Sequence, residues 1–390
     1  MTIFTVAILF ARRPDQFLHP YIWVEDGQYI LREYLEQGAG TLLNPLAGYY
    51  MLATKLISYI AFKVSIIGAP TIELVLITAL TIGVTVAIAT APTHLRWPYA
   101  CAIATLLIPT DAENFAVSLY AFWWAGILLF LALLWNPDRG MGWLRAVFIL
   151  FGGLSSALAI SLCPLFILRA VIERRRSEYI AAALCALTAI VQLYGLHIQH
   201  IVLAGGMFSL ERVPLIAQKF VGDFALTTQN PALGSVLAVG LLSTAAIFHK
   251  RLNLYFVLLL AIFGAVSVSL AGRIELPNFP LIDKLTVAPR YFFYPFILLG
   301  WGMIWLAAVG PFTVRIFIAA IFALSLYGVG NGLSRRHDPV SWRQHIRACA
   351  AIDGQYMLPM HYIGHANQMW LAPFTGAECR KLLASSLFTR

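Results

Sequence analysis

The chain has 390 residues, of which 60% are hydrophobic and only 12% are charged, and its mean hydropathy is +0.78. These values lie far outside the composition of soluble globular domains and indicate an integral membrane protein of the all-α, polytopic class. The net charge of +9 does not indicate a nucleic-acid partner, because the basic residues are scattered at the ends of apolar runs rather than grouped on one polar surface.

The first apolar segment, Thr2 to Ala11, is shorter than the about 20 helical residues that cross a hydrocarbon core. We expect either that it continues past Arg12 and Arg13 or that the sequence begins inside a longer segment. A secretory signal peptide is not expected, since no basic residue precedes the run and no small-residue cleavage site follows it.

Residues 12–69 form a mixed segment, the first loop, which holds two adjacent carboxylates, Glu25 and Asp26. Acidic side chains this close to a bilayer tend to lie in water-filled cavities, where they hold a cation or move a proton. Asp26 followed by glycine is also ordinary turn chemistry, so a solvated loop end is the alternative. Farther along, Gln28 to Gln37 has a helical pattern. The Tyr-rich run Gly48 to Ile67 is typical of a helix lying in the interface, and a spanning helix is the alternative.

Ten further apolar runs follow, and with the first segment they predict about eleven transmembrane helices. Several are shorter than a full span, and the pair that flanks Ser161 to Pro164 predicts a broken hairpin, a form tolerated only where it lines a cavity or packs on protein. The runs are Pro70 to Ala91, Trp97 to Pro109, Leu119 to Trp135, Leu144 to Leu158, Ser161 to Val171, Tyr179 to Leu196, Ala232 to Phe248, Leu252 to Ala271, Tyr291 to Val309 and Phe312 to Val329.

Basic residues in the short connections predict the orientation of the chain. With a cytoplasmic N-terminus, the cytoplasmic connections are rich in arginine, above all Arg174 to Arg176, whereas the opposite turn around Asp111 has no basic residue. The remaining basic residues on that side are Arg96, Arg139, Arg145, Arg169, Lys250, Arg251 and Arg315. The outer face then carries residues 12–69, 110–118, 197–231, 272–290 and 331–390.

Four stretches carry a resemblance to a known family. They are Trp23 to Gly27 (Trp-x-Glu-Asp-Gly), Asn44 to Tyr50, Pro109 to Asn114 and Pro289 to Pro295. Together they resemble the GT-C superfamily of membrane glycosyltransferases, and most closely its bacterial members that use a sugar carried on a polyprenyl monophosphate. These include phage-type glucosyltransferases that modify surface polysaccharides such as the O-antigen of lipopolysaccharide.

The resemblance implies a GT-C-like catalytic region in residues 1–330, with interfacial helices on the outer face. Residues 331–390 have no run long enough to span a membrane and are predicted from their composition to form a small periplasmic subdomain. The resemblance also implies sugar transfer to a surface polysaccharide or lipid-linked glycan at the periplasmic face of the bacterial inner membrane, among membrane lipids. An acidic residue of the first loop would act in catalysis. The sequence has no Asp-x-Asp signature, so neither a metal nor another cofactor is expected.

Displacing a lipid phosphate from an anomeric carbon needs a base for the attacking hydroxyl and positive charge for the leaving phosphate. Adjacent helical side chains point about 100° apart, so we expect only one of the two carboxylates to reach the acceptor, and we favour Asp26, with Glu25 positioning or tuning it. For the phosphate we favour Arg290, whose guanidinium can form two parallel hydrogen bonds. The alternative for Arg290 is an interfacial anchor.

Other candidates rank below these residues. Lys284 and Arg273 are further phosphate-binding candidates, and Glu113 is expected either to bind sugar hydroxyls or to cap a helix. Two aromatic side chains, Tyr291 and Trp23, are candidates for substrate binding.

Histidine pairs could suggest a metal site, but the sequence does not support one. No Cys or carboxylate completes a ligand set around His197 and His200. His361 and His365 have helical i, i+4 spacing, yet Tyr362 stands where the zinc-protease pattern has Glu. No Gly-rich phosphate loop precedes a helix, so nucleotide use is not expected either.

Two other functions remain open. A transporter or flippase for a lipid-linked sugar is favoured by an inverted repeat, which we do not find. A polysaccharide polymerase or ligase also handles polyprenyl carriers, but such a protein is expected to depend on basic residues in a large outer loop. The early acidic loop favours the glycosyltransferase.

The cysteines divide into two groups. Cys101, Cys163 and Cys185 fall in apolar segments and are interpreted as packing residues. Cys349 and Cys379 lie in the polar tail, where an oxidising compartment permits a disulfide if the tail is outside. The alternative is two free thiols too far apart to meet.

Overall fold

In the computed structural model the chain is mostly helical, and the structure describes residues 1–201, 211–225, 231–362 and 365–388. Parts of the predicted outer loop 197–231 and of the tail 331–390 therefore lie outside the described residues. The helices of the first half are α1 (Thr2–Arg12), α2 (Pro14–Leu18), α3 (Leu31–Gln37), α4 (Leu52–Val64), α5 (Ala69–Thr90), α6 (Pro98–Leu106), α7 (Ala121–Leu133), α8 (Gly142–Ser155) and α9 (Leu158–Glu173).

The second half continues the helical bundle and ends in a mixed tail. Its helices are α10 (Arg176–Ile198), α11 (Arg212–Ala217), α12 (Asp223–Ala225), α13 (Pro231–Ile247), α14 (Leu254–Ala271), α15 (Phe293–Val309) and α16 (Phe312–Val329). The tail contains α17 (Trp342–Ala351), β1 (Gln355–Met360), β2 (Trp370–Thr375) and α18 (Gly376–Ser385).

Five of the described helices are long and apolar enough to cross a membrane, by length and composition. This supports a helical membrane protein. The sequence predicts more spans, but the other apolar runs form shorter helices. The five candidate spans are Ala69–Thr90, Arg176–Ile198, Leu254–Ala271, Pro289–Val309 and Phe312–Leu333.

Helix α7 shows why an apolar run need not be a span. It has 13 residues, and nearly all of its side chains are buried by protein. The rings of Trp124 and Phe293 lie 5.2 Å apart, and those of Phe130 and Tyr294 lie 5.3 Å apart. Gly126 permits this packing, because a Cβ there would lie 2.1 Å from the hydroxyl of Tyr294. An apolar helix of this length is typical of a buried core.

The break between helices that the sequence predicts at Ser161 to Pro164 lies at residues 156–157 instead. Helix α8 ends at Ser155 and α9 begins at Leu158, with Pro164 inside α9. A proline frees only one carbonyl, which neighbouring helices can compensate in an apolar bundle. The break that the structure has, at residues 156–157, lines a cavity, and irregular backbone is tolerated in such a place.

The tail adds a two-stranded antiparallel sheet that an all-α class does not include. In its register Gln355 lies opposite Thr375. Each strand carries a proline, Pro359 or Pro373, which argues against a strand when the sequence is read alone. In a two-stranded ribbon both strands are edges, so a residue without an N–H is tolerated.

The tail and the first loop share one hydrophobic cluster, in which Leu358 and Phe374 pack with Ile30 and Phe62. Backbone pairing adds to this contact, because the Val24 N–H donates to the His361 carbonyl at 3.0 Å. The tail therefore helps to hold the segment that carries the two adjacent acids.

Cys349 and Cys379 form a disulfide in the structure, with Cα atoms 6.0 Å apart and a sequence separation of 30. Cys101, Cys163 and Cys185 are free thiols, two of them buried and Cys163 partly buried. The side of the membrane on which the tail lies stays a prediction.

Candidate active site

A cavity of about 470 Å³ opens between the first loop, the break that separates α8 from α9, the end of α14 and the start of α15. Most of its wall is apolar or aromatic. Among the described residues, three charged side chains lie in that wall: Glu25, Arg273 and Arg290. A concave, mostly apolar site with a few convergent polar groups is the usual form of a ligand-binding site.

Glu25 is the carboxylate that faces this cavity. It directly precedes a π-helical turn, Asp26–Ile30, and its buried Oε2 has no hydrogen-bond partner among the described residues. Burial raises the pKa of the Glu25 carboxyl, and the charge of Arg290 opposes that rise only in part. A carboxylate with a raised pKa and an unengaged oxygen is suited to accept a proton.

Asp26, the predicted base, does not line the cavity. Its side chain is fully buried, and its Oδ2 accepts hydrogen bonds from Ser118 Oγ at 2.7 Å and from the Leu119 N–H at 3.2 Å. Burial and the neighbouring Glu73 raise the pKa of Asp26 well above its usual range. Adjacent side chains do diverge as expected, but Glu25 faces the cavity and Asp26 faces the interior.

Glu113 anchors Arg290 and does not line the cavity itself. Its Oε1 accepts a hydrogen bond from Arg290 Nη1 at 2.8 Å and one from the Tyr120 hydroxyl at 2.5 Å. The Glu113 side chain is 7% exposed, whereas that of Arg290 is 40% exposed. The geometry therefore supports an orienting role for Glu113 rather than the predicted contact with sugar hydroxyls.

Aromatic rings support both cavity arginines. The Arg273 guanidinium lies 4.2 Å from the ring centroid of Tyr49, and that of Arg290 lies 5.5 Å from the ring centroid of Tyr291. Both rings line the cavity, and Tyr291 is one of the two aromatic residues predicted to bind substrate. Stacking on a ring face leaves guanidinium N–H groups available for an anion.

Two further predicted site residues, Lys284 and Trp23, also lie away from the cavity wall. Lys284 is fully buried, its Nζ donates to the Asp223 carbonyl at 2.5 Å, and burial lowers its pKa to about 8. Lys284 therefore donates hydrogen bonds to backbone carbonyls of α12 rather than to a bound phosphate. Trp23 is 3% exposed, and its ring packs 5.7 Å from His337 and 6.1 Å from Tyr120.

Two glutamines that hold one wall of the cavity are not among the predicted site residues: Gln192 in α10 and Gln199 just beyond its end. Gln192 pairs with the backbone of Tyr50, donating at 3.0 Å and accepting at 3.1 Å, and Gln199 donates to the Pro45 carbonyl at 2.7 Å. A signal was present for Gln192, because a buried amide within an apolar helix needs hydrogen-bond partners.

The structure does not form the helical histidine pair. Strand β1 ends at Met360, and His361 is buried with its Nε2 2.7 Å from the Asp338 carbonyl. Within the described ranges, no group of three or more His, Cys, Asp or Glu side chains is placed to hold a metal ion. Since α10 ends at Ile198, His197 lies in its last turn and His200 just beyond it.

Comparison of the chain with protein-family models, with curated proteins and with solved structures finds no match.

Proposed function

We propose that the protein is a glycosyltransferase that moves a sugar from a polyprenyl-phosphate donor to a surface polysaccharide or a lipid-linked glycan. The observation that carries this proposal is the convergence of Glu25, Arg273 and Arg290 on one cavity beside candidate membrane spans. A base and positive charge are the groups that such a transfer needs. The resemblance of the first-loop motif to the GT-C superfamily supports the same reaction class.

In the proposed reaction an acceptor hydroxyl attacks the anomeric carbon, and its proton passes to Glu25. The bond between that carbon and the phosphate oxygen breaks, and the leaving polyprenyl phosphate keeps the electron pair. Arg290 and Arg273 stabilise the negative charge of the phosphate. The surroundings of the two acids support Glu25 rather than Asp26 as the base.

The proposal includes a GT-C-like arrangement of membrane spans around the buried helix α7, with the cavity on the periplasmic side of a bacterial inner membrane. Exposed Arg174, Arg175 and Arg176 support a cytoplasmic location for the connection between α9 and α10. Arg145 and Arg169 support it less, because both are buried and paired with Glu178 rather than available to lipid phosphates.

The test supplies purified protein in lipid nanodiscs with a polyprenyl-phosphate donor that carries a labelled sugar, together with a glycan acceptor. We expect labelled glycan and free polyprenyl phosphate in equal amounts. Glu25→Gln should abolish most of both products, whereas Glu36→Gln, the same change at an exposed position of α3, should not. Movement of intact donor across vesicles without bond cleavage would replace the proposal with a flippase, and joining of long diphosphate-linked chains would replace it with a polymerase or ligase.

A further inference from the structure

Asp26 and a second buried acid meet at one serine hydroxyl. The second acid is Glu73, which lies in α5 and is 3% exposed. Ser118 Oγ is 2.7 Å from Asp26 Oδ2 and 2.9 Å from Glu73 Oε2. Among the described residues no basic side chain forms an ion pair with either acid.

The hydrogen bonds determine where a proton must lie. A serine hydroxyl has a single hydrogen to donate, so it cannot donate to both carboxylates. One of the two acids must therefore be the donor to Ser118. Asp26 Oδ2 already accepts from the Leu119 N–H at 3.2 Å, which favours that oxygen as an acceptor. The consistent arrangement is that Glu73 donates to Ser118 and Ser118 donates to Asp26.

We propose that Glu73 carries a proton at neutral pH and, through Ser118, acts as the positioning residue that fixes the turn bearing Glu25 beside the cavity. The two acids then share one negative charge. This role of Glu73 does not depend on which reaction takes place in the cavity.

Burial favours a neutral Glu73. An ionised carboxylate within a candidate membrane span is costly unless it is paired, and protonation removes that cost. In the described part of the chain, the groups that face the two acids supply no positive charge: Glu25 precedes Asp26 on the same turn, and Ser58 of α4 lies beside Glu73. The raised pKa of Asp26, caused by burial and then by Glu73, agrees with a pair that keeps one proton.

The contacts of Ser118 also show which parts of the cavity wall the two acids, Asp26 and Glu73, hold in place. Leu119 and Tyr120, the next two residues, line the cavity, and the Tyr120 hydroxyl donates to Glu113, the anchor of Arg290. Asp26, one residue from Glu25, is bound to this same segment. The acid pair thus joins the part of the wall that carries the carboxylate to the part that orients the guanidinium.

Infrared difference spectroscopy of purified protein at neutral pH tests this inference, because a protonated carboxyl group has a C=O band that an ionised carboxylate lacks. We expect the band in the wild type and in Asp26→Asn, and its loss in Glu73→Gln, whose amide can still donate to Ser118 and should preserve the fold. Glu36→Gln, at an exposed carboxylate, is the matched control and should leave the band unchanged.

Three results would overturn the inference. Absence of the band in the wild type would mean that both acids are ionised, and this result needs no variant to fold. Loss of the band in Asp26→Asn with retention in Glu73→Gln would place the proton on Asp26. A band that persists in both variants would belong to another carboxyl group.

Discussion

Glu25 and Asp26 are neighbours in the chain with opposite surroundings, since Glu25 lies in the cavity wall and Asp26 is fully buried against Ser118. We therefore expect Glu25→Gln to lower the transfer rate by ~10²–10⁴-fold, the usual contribution of a general base, with donor affinity nearly unchanged. Single-turnover kinetics with saturating donor measures the rate. Asp26→Asn should retain more activity than Glu25→Gln. The reverse order would indicate that Asp26 is the base.

The raised pKa of Glu25 predicts a pH dependence. The base must be ionised, so transfer should fall as the pH falls through the pKa of Glu25 in the folded protein. Because burial raises that pKa, the acidic limb of the rate profile should lie above the ordinary value of about 4.3 for a glutamate. A profile of kcat/KM against pH measures it, and a limb at or below the ordinary value would contradict a buried base.

The substitution Arg290→Lys tests whether donor binding depends on the planar shape of the guanidinium as well as on its charge. It is held by Glu113 at 2.8 Å and lies over Tyr291, an arrangement that a planar guanidinium can use fully and a lysine cannot. We expect Arg290→Lys to weaken donor binding by about tenfold or more, the effect of one lost charge-assisted hydrogen bond. Unchanged binding of a labelled donor would favour a point charge or an interfacial anchor.

At the scale of elements, buried arginines join the ends of helices. Arg145 and Arg169 both contact Glu178 at the start of α10, with Nη2–Oε2 at 2.7 Å for Arg145 and Nη2–Oε1 at 3.1 Å for Arg169. Arg145 also donates to the Ala132 carbonyl, and Arg169 to the Trp135 carbonyl, at the end of α7. Cations there compensate carbonyl groups that a helix leaves without partners.

Removal of Glu178 should leave two buried guanidinium groups unpaired. We expect Glu178→Leu to lower the free energy of unfolding by about 3–5 kcal/mol, the cost of breaking a buried ion pair. Denaturant unfolding in detergent measures this loss. Glu36→Leu, at an exposed position of α3, is the control, and an equally small effect of both substitutions would show that the Glu178 cluster does not stabilise the bundle.

At the scale of the whole molecule, the tail is fastened to the first loop and closed by Cys349–Cys379. Replacement of both cysteines by serine should lower stability by ~3 kcal/mol, as a chain-entropy model gives for a loop of this size. Thiol labelling of denatured protein checks the bridge directly. Cys101, Cys163 and Cys185 should label without reductant, and the other two only after reduction. Labelling of all five without reductant would remove the best support for an outer tail.

The sequence predicts best what depends on local pattern. The long apolar runs are found as α5, α10, α14, α15 and α16, because length and hydropathy suffice for a candidate span. The partners of buried polar groups cannot be predicted in this way. Asp26 is held in the interior by a hydrogen bond from Ser118, 92 residues away. Lys284 is held there by the hydrogen bond that it donates to the Asp223 carbonyl, 61 residues away. The length of an apolar run also does not show whether lipid or protein covers it, as α7 demonstrates.

In the proposed reaction, one cavity binds the donor phosphate through arginines and presents its sugar to Glu25. A cryo-electron microscopy structure with a non-transferable polyprenyl-phosphate sugar analogue tests this arrangement most directly. We expect the phosphate within hydrogen-bond distance of Arg290 or Arg273, and the anomeric carbon facing the side of the cavity that holds Glu25. Density for the analogue outside this cavity, or within it with the sugar directed away from Glu25, would mean that Glu25 and the two arginines do not form the transfer site.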